Sequence, residues 1–288
     1  MNAKAFAPGS NEWRRALVYG LGLSGKAAAR LLLARGVEVV GVDARPAAAL
    51  DLGDLAAEAR LVVHAGEEPA ELPAGLDGVV VSPGVPMDRP LLAAARRRGL
   101  PVIAEVELAF PFLNGPVVAI TGSNGKSTTT ALTGALLRAA GRRVEVCGNI
   151  GEPLAGVVEG PPGRVFVVEL SSFQIEGVAT FRPQAAALLN LSGDHLDRYG
   201  GMAAYAAAKK RLFATQGSDD VAVLNADDPA TLELATAARR RLFSRRRRVE
   251  DGCWLDGDRV VESVPGADRK STRLNSSHRA LSRMPSSA

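Results

Sequence analysis

This sequence is short of long apolar runs, of a leader and of patterned cysteine. No stretch of about 18 apolar residues occurs, so no segment is fitted to cross a bilayer as a helix. Met1 to Asn11 lack the basic-then-apolar order of a secretory leader. Cys147 and Cys253 stand far apart without metal-ligand spacing, and read as two free thiols in a reducing cytoplasm. Aromatics are only 5% of 288 residues, beside abundant Ala, Arg and Gly, which is the stamp of a GC-rich genome more than of a special fold. Excess charge is missing as well. The formal +4 invites a nucleic-acid partner, but residues 268–288 hold five basic residues (Arg269, Lys270, Arg273, Arg279, Arg283) against Asp268 and so carry all of it. The arginine runs 239–241 and 245–248 have no interleaved aromatics and read as solvated surface. Neither nucleic acid nor membrane is expected as a partner.

What remains is 47% hydrophobic and long enough for about two domains. From Asp268 the texture turns polar and Ser-rich, the look of a disordered tail. A sharper reading exists. DRKSTRLNSSH matches the translation of a common sequencing adapter, and SRMPSSA (282–288) continues that adapter in frame after an index-length gap at Arg279–Leu281. Residues 268–288 are therefore expected to be foreign to the fold, as an expression scar would be.

Before that tail, short apolar runs alternate with helical stretches. Strand ALVY (16–19) enters GLGLSG, where Gly20, Gly22 and Gly25 have G-x-G-x-x-G spacing. A helix over 26–35, stopped by Gly36, leads to strand VEVVGVD (37–43), which ends on an acid. Further strands are expected at 61–64 and 78–84, a helix at 91–98, then PVIAEVELAF (101–110). Near Asn114 the alternation restarts with strand 116–120, the turn TGSNGKS and a helix over 128–140. Strands 164–170, 185–191 and 221–226 follow, with a helix over 202–213. The fold class is α/β: a Rossmann-like domain over 1–114, then a partial P-loop-type, parallel-sheet ATPase domain over 115–267.

GLGLSG alone serves either of two ends. It delivers backbone N–H groups to a phosphate, with Asp43 gripping a ribose as in NAD(P)-dependent oxidoreductases, or it merely packs a helix on a strand. TGSNGKST (121–128) says more. Ile120 stands where the longer P-loop pattern wants its first glycine, yet Gly122 and Gly125 let backbone wrap phosphate. Lys126 adds a point charge, and Ser127 or Thr128 a hydroxyl for Mg²⁺. Glu169 ends a buried-type strand, where open α/β sheets bind ligands, and a nearby cation is the economical partner for such an acid. His195 lies between two acids in LSGDHLDRY. Lys209 and Lys210 fall on a helix, where a solvated charged face is the plain reading.

Together GLGLSG, SPGV (82–85), TGSNGKST, CGNIG (147–151), ELSSFQ, DHLDRY and NADD (225–228) resemble the Mur ligase family, and its MurD branch most, in order and spacing. The resemblance runs from about Ala16 to about Arg259. It implies an ATP-dependent ligase of peptidoglycan precursor synthesis, acting in the cytoplasm as a monomer and joining D-glutamate to UDP-N-acetylmuramoyl-L-alanine through an acyl phosphate. UDP would lie on Leu23, Ser24, Asp43, Arg45, Ser82 and Gly84, with Asn149 reaching the substrate. ATP would lie on Gly122, Ser123, Asn124, Gly125, Lys126, Ser127 and Thr128, its adenine facing Asn225. Lys126, Glu169, His195 and Lys209 would be the catalytic set. Of two Mg²⁺ ions, Ser127 and Glu169 would hold one, and His195 with a carbamylated Lys209 the other. A sister Mur ligase, a folylpolyglutamate-synthase-like ligase and a non-catalytic nucleotide-binding module are the alternatives. The family's C-terminal, D-glutamate-binding domain is absent from the sequence. The chain alone is therefore expected to be inactive, with an apolar edge of its interrupted central sheet left unpaired.

Overall fold

A computed structural model of the chain describes residues 13–193, 199–264 and 270–273. His195 lies outside the described residues.

The first sheet has the order β3-β2-β1-β4-β5, all parallel: β1 (Arg15–Tyr19), β2 (Glu38–Asp43), β3 (Leu61–Ala65), β4 (Gly78–Val81) and β5 (Val102–Ala104). Strands β1, β2 and β4 are apolar almost throughout and buried on both faces, as parallel strands between helical layers must be. The chain reverses its order of addition between β1 and β4, so the sheet opens a crevice there, and the GLGLSG turn sits over it. Helix α1 (Leu23–Ala34) begins three residues earlier than its apolar period suggests. The strand expected over 78–84 stops at Val81, because Ser82 turns its hydroxyl back to donate to the Gly20 carbonyl at 2.6 Å. Helix α2 (Pro90–Arg97) packs Leu91, Leu92 and Ala95 inward.

Residues 101–110 split in two. Strand β5 runs straight into α3 (Glu105–Ala109), a one-turn helix with every residue buried, which packs on α1 and β4 and is hydrogen-bonded to loops that flank the second sheet. Ala104 N donates to the Gly177 carbonyl at 2.9 Å. Glu107 accepts from the backbone N–H groups of Ala179, Thr180 and Phe181 at 2.7–3.0 Å. Glu105 accepts from Ala155 N, and its other carboxylate oxygen is buried without a partner among the described residues. Full burial pushes the Glu105 carboxyl up to about 7.

The second sheet has the order β14-β13-β12-β11-β10-β9-β6-β8-β7. Its parallel part comprises β6 (Val117–Thr121), β7 (Val144–Gly148), β8 (Val165–Glu169), β9 (Ala185–Leu188), β10 (Val221–Asn225), β11 (Arg239–Ser244) and β12 (Gly252–Asp256). The arginine run 239–241, expected as mere surface, begins β11. Arg239 and Arg240 stay exposed, while Arg241 is partly buried and paired with Asp251 (3.0 Å) and Glu262 (3.2 Å). The expected unpaired apolar edge does not occur among the described residues. An antiparallel meander of β12, β13 (Arg259–Ser263) and β14 (Lys270–Arg273) continues the sheet beyond β11 and ends it on polar residues. Residues 270–273, expected to be foreign to the fold, thus add a strand, since edge pairing asks only for backbone groups.

The faces of this sheet differ. Ala119, Phe166, Val168, Ala186, Leu188, Ala222 and Leu224 point to one fully buried face. The other is covered over β8, β6 and β7 by α4 (Lys126–Ala139), but Ala185, Ala187, Val221 and Val223 remain half-buried on it and Leu136 of α4 is 59% exposed. Helices α5 (Ser172–Glu176) and α6 (Met202–Lys210) pack on each other, and α6 passes into a 3₁₀ turn at Arg211–Phe213 where one helix through 213 was expected.

Candidate functional site

The first glycine turn is closed mostly by its own protein groups. Gly20 has φ +86, and a Cβ on Gly25 would lie 1.7 Å from the Gly20 carbonyl oxygen, so only glycine lets α1 approach β1 this closely. Asp43, at the end of β2, is 6% exposed. One of its oxygens accepts from Leu21 N at 2.7 Å, and both accept from the Arg45 guanidinium at 2.8 and 2.9 Å. The Arg45 guanidinium, ahead of the two backbone donors, holds the Asp43 carboxyl down at about 2. Arg45 itself is exposed, as is Leu23 at 71%, while Ser24 is partly buried, Ser82 buried and Gly84 exposed. Of the predicted substrate residues, Asp43, Arg45 and Ser82 are tied to this turn, whereas Asn149 lies after β7 of the second sheet. Sequence reasoning missed Glu68: it accepts from Leu91 N at 3.1 Å, and it helps burial push the Tyr19 hydroxyl up to about 12.

The second glycine turn leaves its polar groups outward. Between β6 and α4, Gly122 (φ +155) passes against Leu189 and Gly125 (φ +81) caps the helix in the left-handed region. Asn124, Gly125, Ser127 and Thr128 are exposed, and Lys126 is partly so, its Nζ donating to the Ser123 carbonyl at 2.9 Å. The loop is held from below. Ser123 Oγ donates to the Ser192 carbonyl (2.9 Å), accepts from Ser192 N (3.0 Å) and lies 3.1 Å from the Tyr205 hydroxyl. Asn124 and Asn190 bond each other through N–H···Oδ1 (2.9 Å) and Nδ2–H···O (3.0 Å) contacts. This bracing was not read from the sequence, though LNLSG directly after β9 is where a neighbouring strand's loop must lie.

Lys209 is buried, unlike its neighbour Lys210. It is 1% exposed, donates to the Gly122 carbonyl at 3.0 Å and stands 4.7 Å from the Tyr205 ring centre, whereas Lys210 pairs outward with Glu233 at 3.6 Å. Glu169 ends β8 at 1% exposure, in register with Ile120 of β6 and Gly148 of β7. Asn149 Nδ2 donates to Glu169 Oε1 at 2.9 Å, while Oε2 is buried with no hydrogen-bond partner among the described residues. Asn225 ends β10, donates to the Leu189 carbonyl at 2.8 Å and accepts from Asp227 N. Thus Glu169, the phosphate-type turn and Asn225 share the carboxyl-end edge of one parallel sheet, where open sheets take ligands. A buried carboxylate oxygen with no hydrogen-bond partner among the described residues suits a hard cation such as Mg²⁺. Among the described residues no cluster of three His, Cys, Asp or Glu side chains offers a softer site.

The comparisons agree with this geometry. Residues 14–104 match the Mur ligase MurD-like N-terminal domain, and residues 120–247 the Mur ligase middle domain. The chain belongs to the Mur ligase family. It is 56% identical over 232 residues to the UDP-N-acetylmuramoylalanine--D-glutamate ligase of Anaeromyxobacter dehalogenans, covering 80% of this chain and 50% of that protein. It is 46% identical over 258 residues to the enzyme of the same name from Pelotomaculum thermopropionicum, covering 88% and 56%. The chain therefore spans about half the length of these curated relatives. Among solved structures, a Neisseria meningitides UDP-N-acetylmuramate:L-alanyl-gamma-D-glutamyl-meso-diaminopimelate ligase superposes with a TM-score of 0.55 at 20% identity, over 93% of this chain and 90% of that one. A Psychrobacter arcticus murein peptide ligase gives 0.54 at 19%, over 90% and 61%. These two support the α/β fold alone.

Proposed function

We propose that the chain supplies the substrate-holding and nucleotide-holding parts of an ATP-dependent ligase that joins D-glutamate to UDP-N-acetylmuramoyl-L-alanine. One observation carries the reading. The turn after β6, exposed at Asn124, Gly125, Ser127 and Thr128, and the oxygen of buried Glu169 that has no partner among the described residues lie on one sheet edge, an arrangement for triphosphate and cation together.

ATP lies on the second turn, with the N–H groups of residues 125–128 toward its phosphates, Lys126 as the point charge and Asn225 at the adenine end. Ser127 and Glu169 hold Mg²⁺, which supplies neutralisation of the phosphate charge. The UDP group lies over the first turn and the Ser82–Gly84 loop. Asp43 serves it indirectly: with both oxygens committed to Leu21 and Arg45, it fixes the loop and aims the Arg45 cation at the diphosphate. That commitment disfavours the oxidoreductase reading, which needs Asp43 free for a ribose. The substrate carboxylate attacks the γ-phosphorus and ADP leaves, giving an acyl phosphate. The D-glutamate amine then attacks the acyl carbon, phosphate leaves, and the amine gives up its proton. Two anions must meet in the first step, so cationic screening is the main demand on the site.

A second cation on His195 and carbamylated Lys209 is the finer part of the proposal. It is checked by mass spectrometry of bicarbonate-equilibrated protein, read for one added CO₂ at Lys209. The general reading is tested by calorimetry on the 288-residue chain. ATP with Mg²⁺ and the UDP-substrate are each expected to bind, Lys126→Ala removing the first and Arg45→Ala weakening the second. NADH binding with no ATP binding would overturn it.

A further inference from the structure

The loop after β7 does something that its reading as a substrate contact does not explain. Gly148 (φ +103) brings this loop so close to β8 that a Cβ would lie 2.4 Å from the Glu169 carbonyl oxygen. The approach lets Asn149 grip Glu169 twice. Its backbone N–H donates to the Glu169 carbonyl at 2.9 Å, and its side-chain Nδ2 donates to Glu169 Oε1 at 2.9 Å. The loop is tied back by Gly148 N to the Glu152 carbonyl at 2.9 Å, so the amide is delivered from a fixed base. The opposite oxygen, Oε2, is buried and bare.

We infer that Asn149 is a positioning residue for the cation site: it occupies one oxygen of Glu169 and so presents the other as a single, oriented ligand. The inference rests on the reading that Glu169 binds Mg²⁺, and goes beyond it by saying how the carboxylate is aimed and for which cation. A carboxylate with one oxygen engaged by an amide ligates through one atom. That suits Mg²⁺, which demands compact octahedral geometry, and handicaps Ca²⁺, which readily takes both oxygens of a carboxylate. Outer partners of this kind typically change metal affinity by 10–100-fold.

The experiment measures Mn²⁺ binding to the 288-residue chain with ATP by electron paramagnetic resonance, and Mg²⁺ and Ca²⁺ by competition. Asn149→Leu keeps the backbone bond and the bulk but removes the side-chain donor, and Asn149→Asp replaces the donor with a like charge. Both are expected to weaken Mn²⁺ and Mg²⁺ about 10–100-fold, Asp more than Leu, while Ca²⁺ changes little in Asn149→Leu, so that discrimination narrows. Asn149→Ser is the substitute should Asn149→Leu fail to fold. Glu169→Gln in parallel is expected to remove Mn²⁺ binding. If Glu169→Gln removes it and both Asn149 variants bind as wild type with unchanged Mg²⁺/Ca²⁺ preference, the inference is overturned and the cation reading stands. If Glu169→Gln also binds as wild type, the cation reading itself falls and the inference with it.

Discussion

The two glycine turns follow buried strands and open helices of similar length, yet one is closed over by protein and the other is braced from below and exposed at Asn124, Gly125, Ser127 and Thr128. In the first, the space a Cβ would fill at Gly25 is taken by the Gly20 carbonyl, and Asp43 spends both oxygens on Leu21 and Arg45. In the second, no backbone lies within 4 Å of a Cβ at Gly125, and the first turn of α4 is exposed. The same glycine-rich spelling therefore does two jobs. At Gly25 it removes a side chain so that helix and strand can touch. At Gly125 it permits a backbone angle that turns N–H groups outward.

Single methyl groups separate the two jobs. Gly25→Ala is expected to cost about 3 kcal/mol or more, the upper range for overpacking, because the clash is with backbone that cannot step aside. Gly22→Ala, three residues earlier in the same motif, meets nothing within 4 Å and is expected to cost about 0.5 kcal/mol. Urea melts of both variants check this. Equal losses would break the packing account of the motif.

Glu105 tests whether the two regions are mechanically joined. Its bond to Ala155 fastens α3 to the Leu154–Gly156 turn, which packs on α1. Its folded pKa of about 7 lies above the ordinary 4.5. Stability from this group is therefore greatest below about 4.5, falls as pH climbs toward 7 and is flat above. The full span is about 3 kcal/mol. Glu105→Gln is expected to flatten that slope and to melt higher than wild type at pH 8. A wild-type slope in the variant would place the titration elsewhere.

Asp43 gives a smaller effect of opposite sign, in a separate window. Its folded pKa is lowered from 3.8 to about 2, so its contribution is present above about 4 and lost as pH falls through 2, a span of about 2 kcal/mol. Asp43→Asn is expected to lose that stability near neutral pH. It should also weaken UDP-ligand binding while leaving ATP binding unchanged. Equal loss of both ligands would mean that the turns are not independent.

How much was legible follows the same division. Strands buried on both faces, β1, β2, β4, β6 and β8, announce themselves as unbroken apolar runs between glycine turns. The second glycine turn was legible because its pattern is local: two glycines, a lysine and four hydroxyl residues within residues 121–128. Strand β11 was not, because an arginine-rich strand near the sheet's edge has one solvated side and reads as a charge run. Nor was the bracing of Ser123 by Ser192 and Tyr205, or that of Asn124 by Asn190. Each depends on residues far apart in sequence that the parallel order of β6, β9 and β10 brings together. The role of Asn149 lay hidden for the same reason, since it faces Glu169 only through the pairing of β7 with β8.

Gly125 sets backbone angle against space most sharply. Gly125→Ala meets only the Leu189 side chain at 3.9 Å, so sterics cost nothing, but φ +81 is left-handed and should cost about 1–2 kcal/mol. Asparagine tolerates that region better than other non-glycine residues. Gly125→Asn is therefore expected to recover part of the stability lost in Gly125→Ala, despite its larger side chain. At Gly25 the order must invert: asparagine, being bulkier, should be worse than alanine. Thermal melts of the four variants decide it. The same rank order at both glycines would mean that the turns are governed by one constraint, and the contrast drawn between them would not hold.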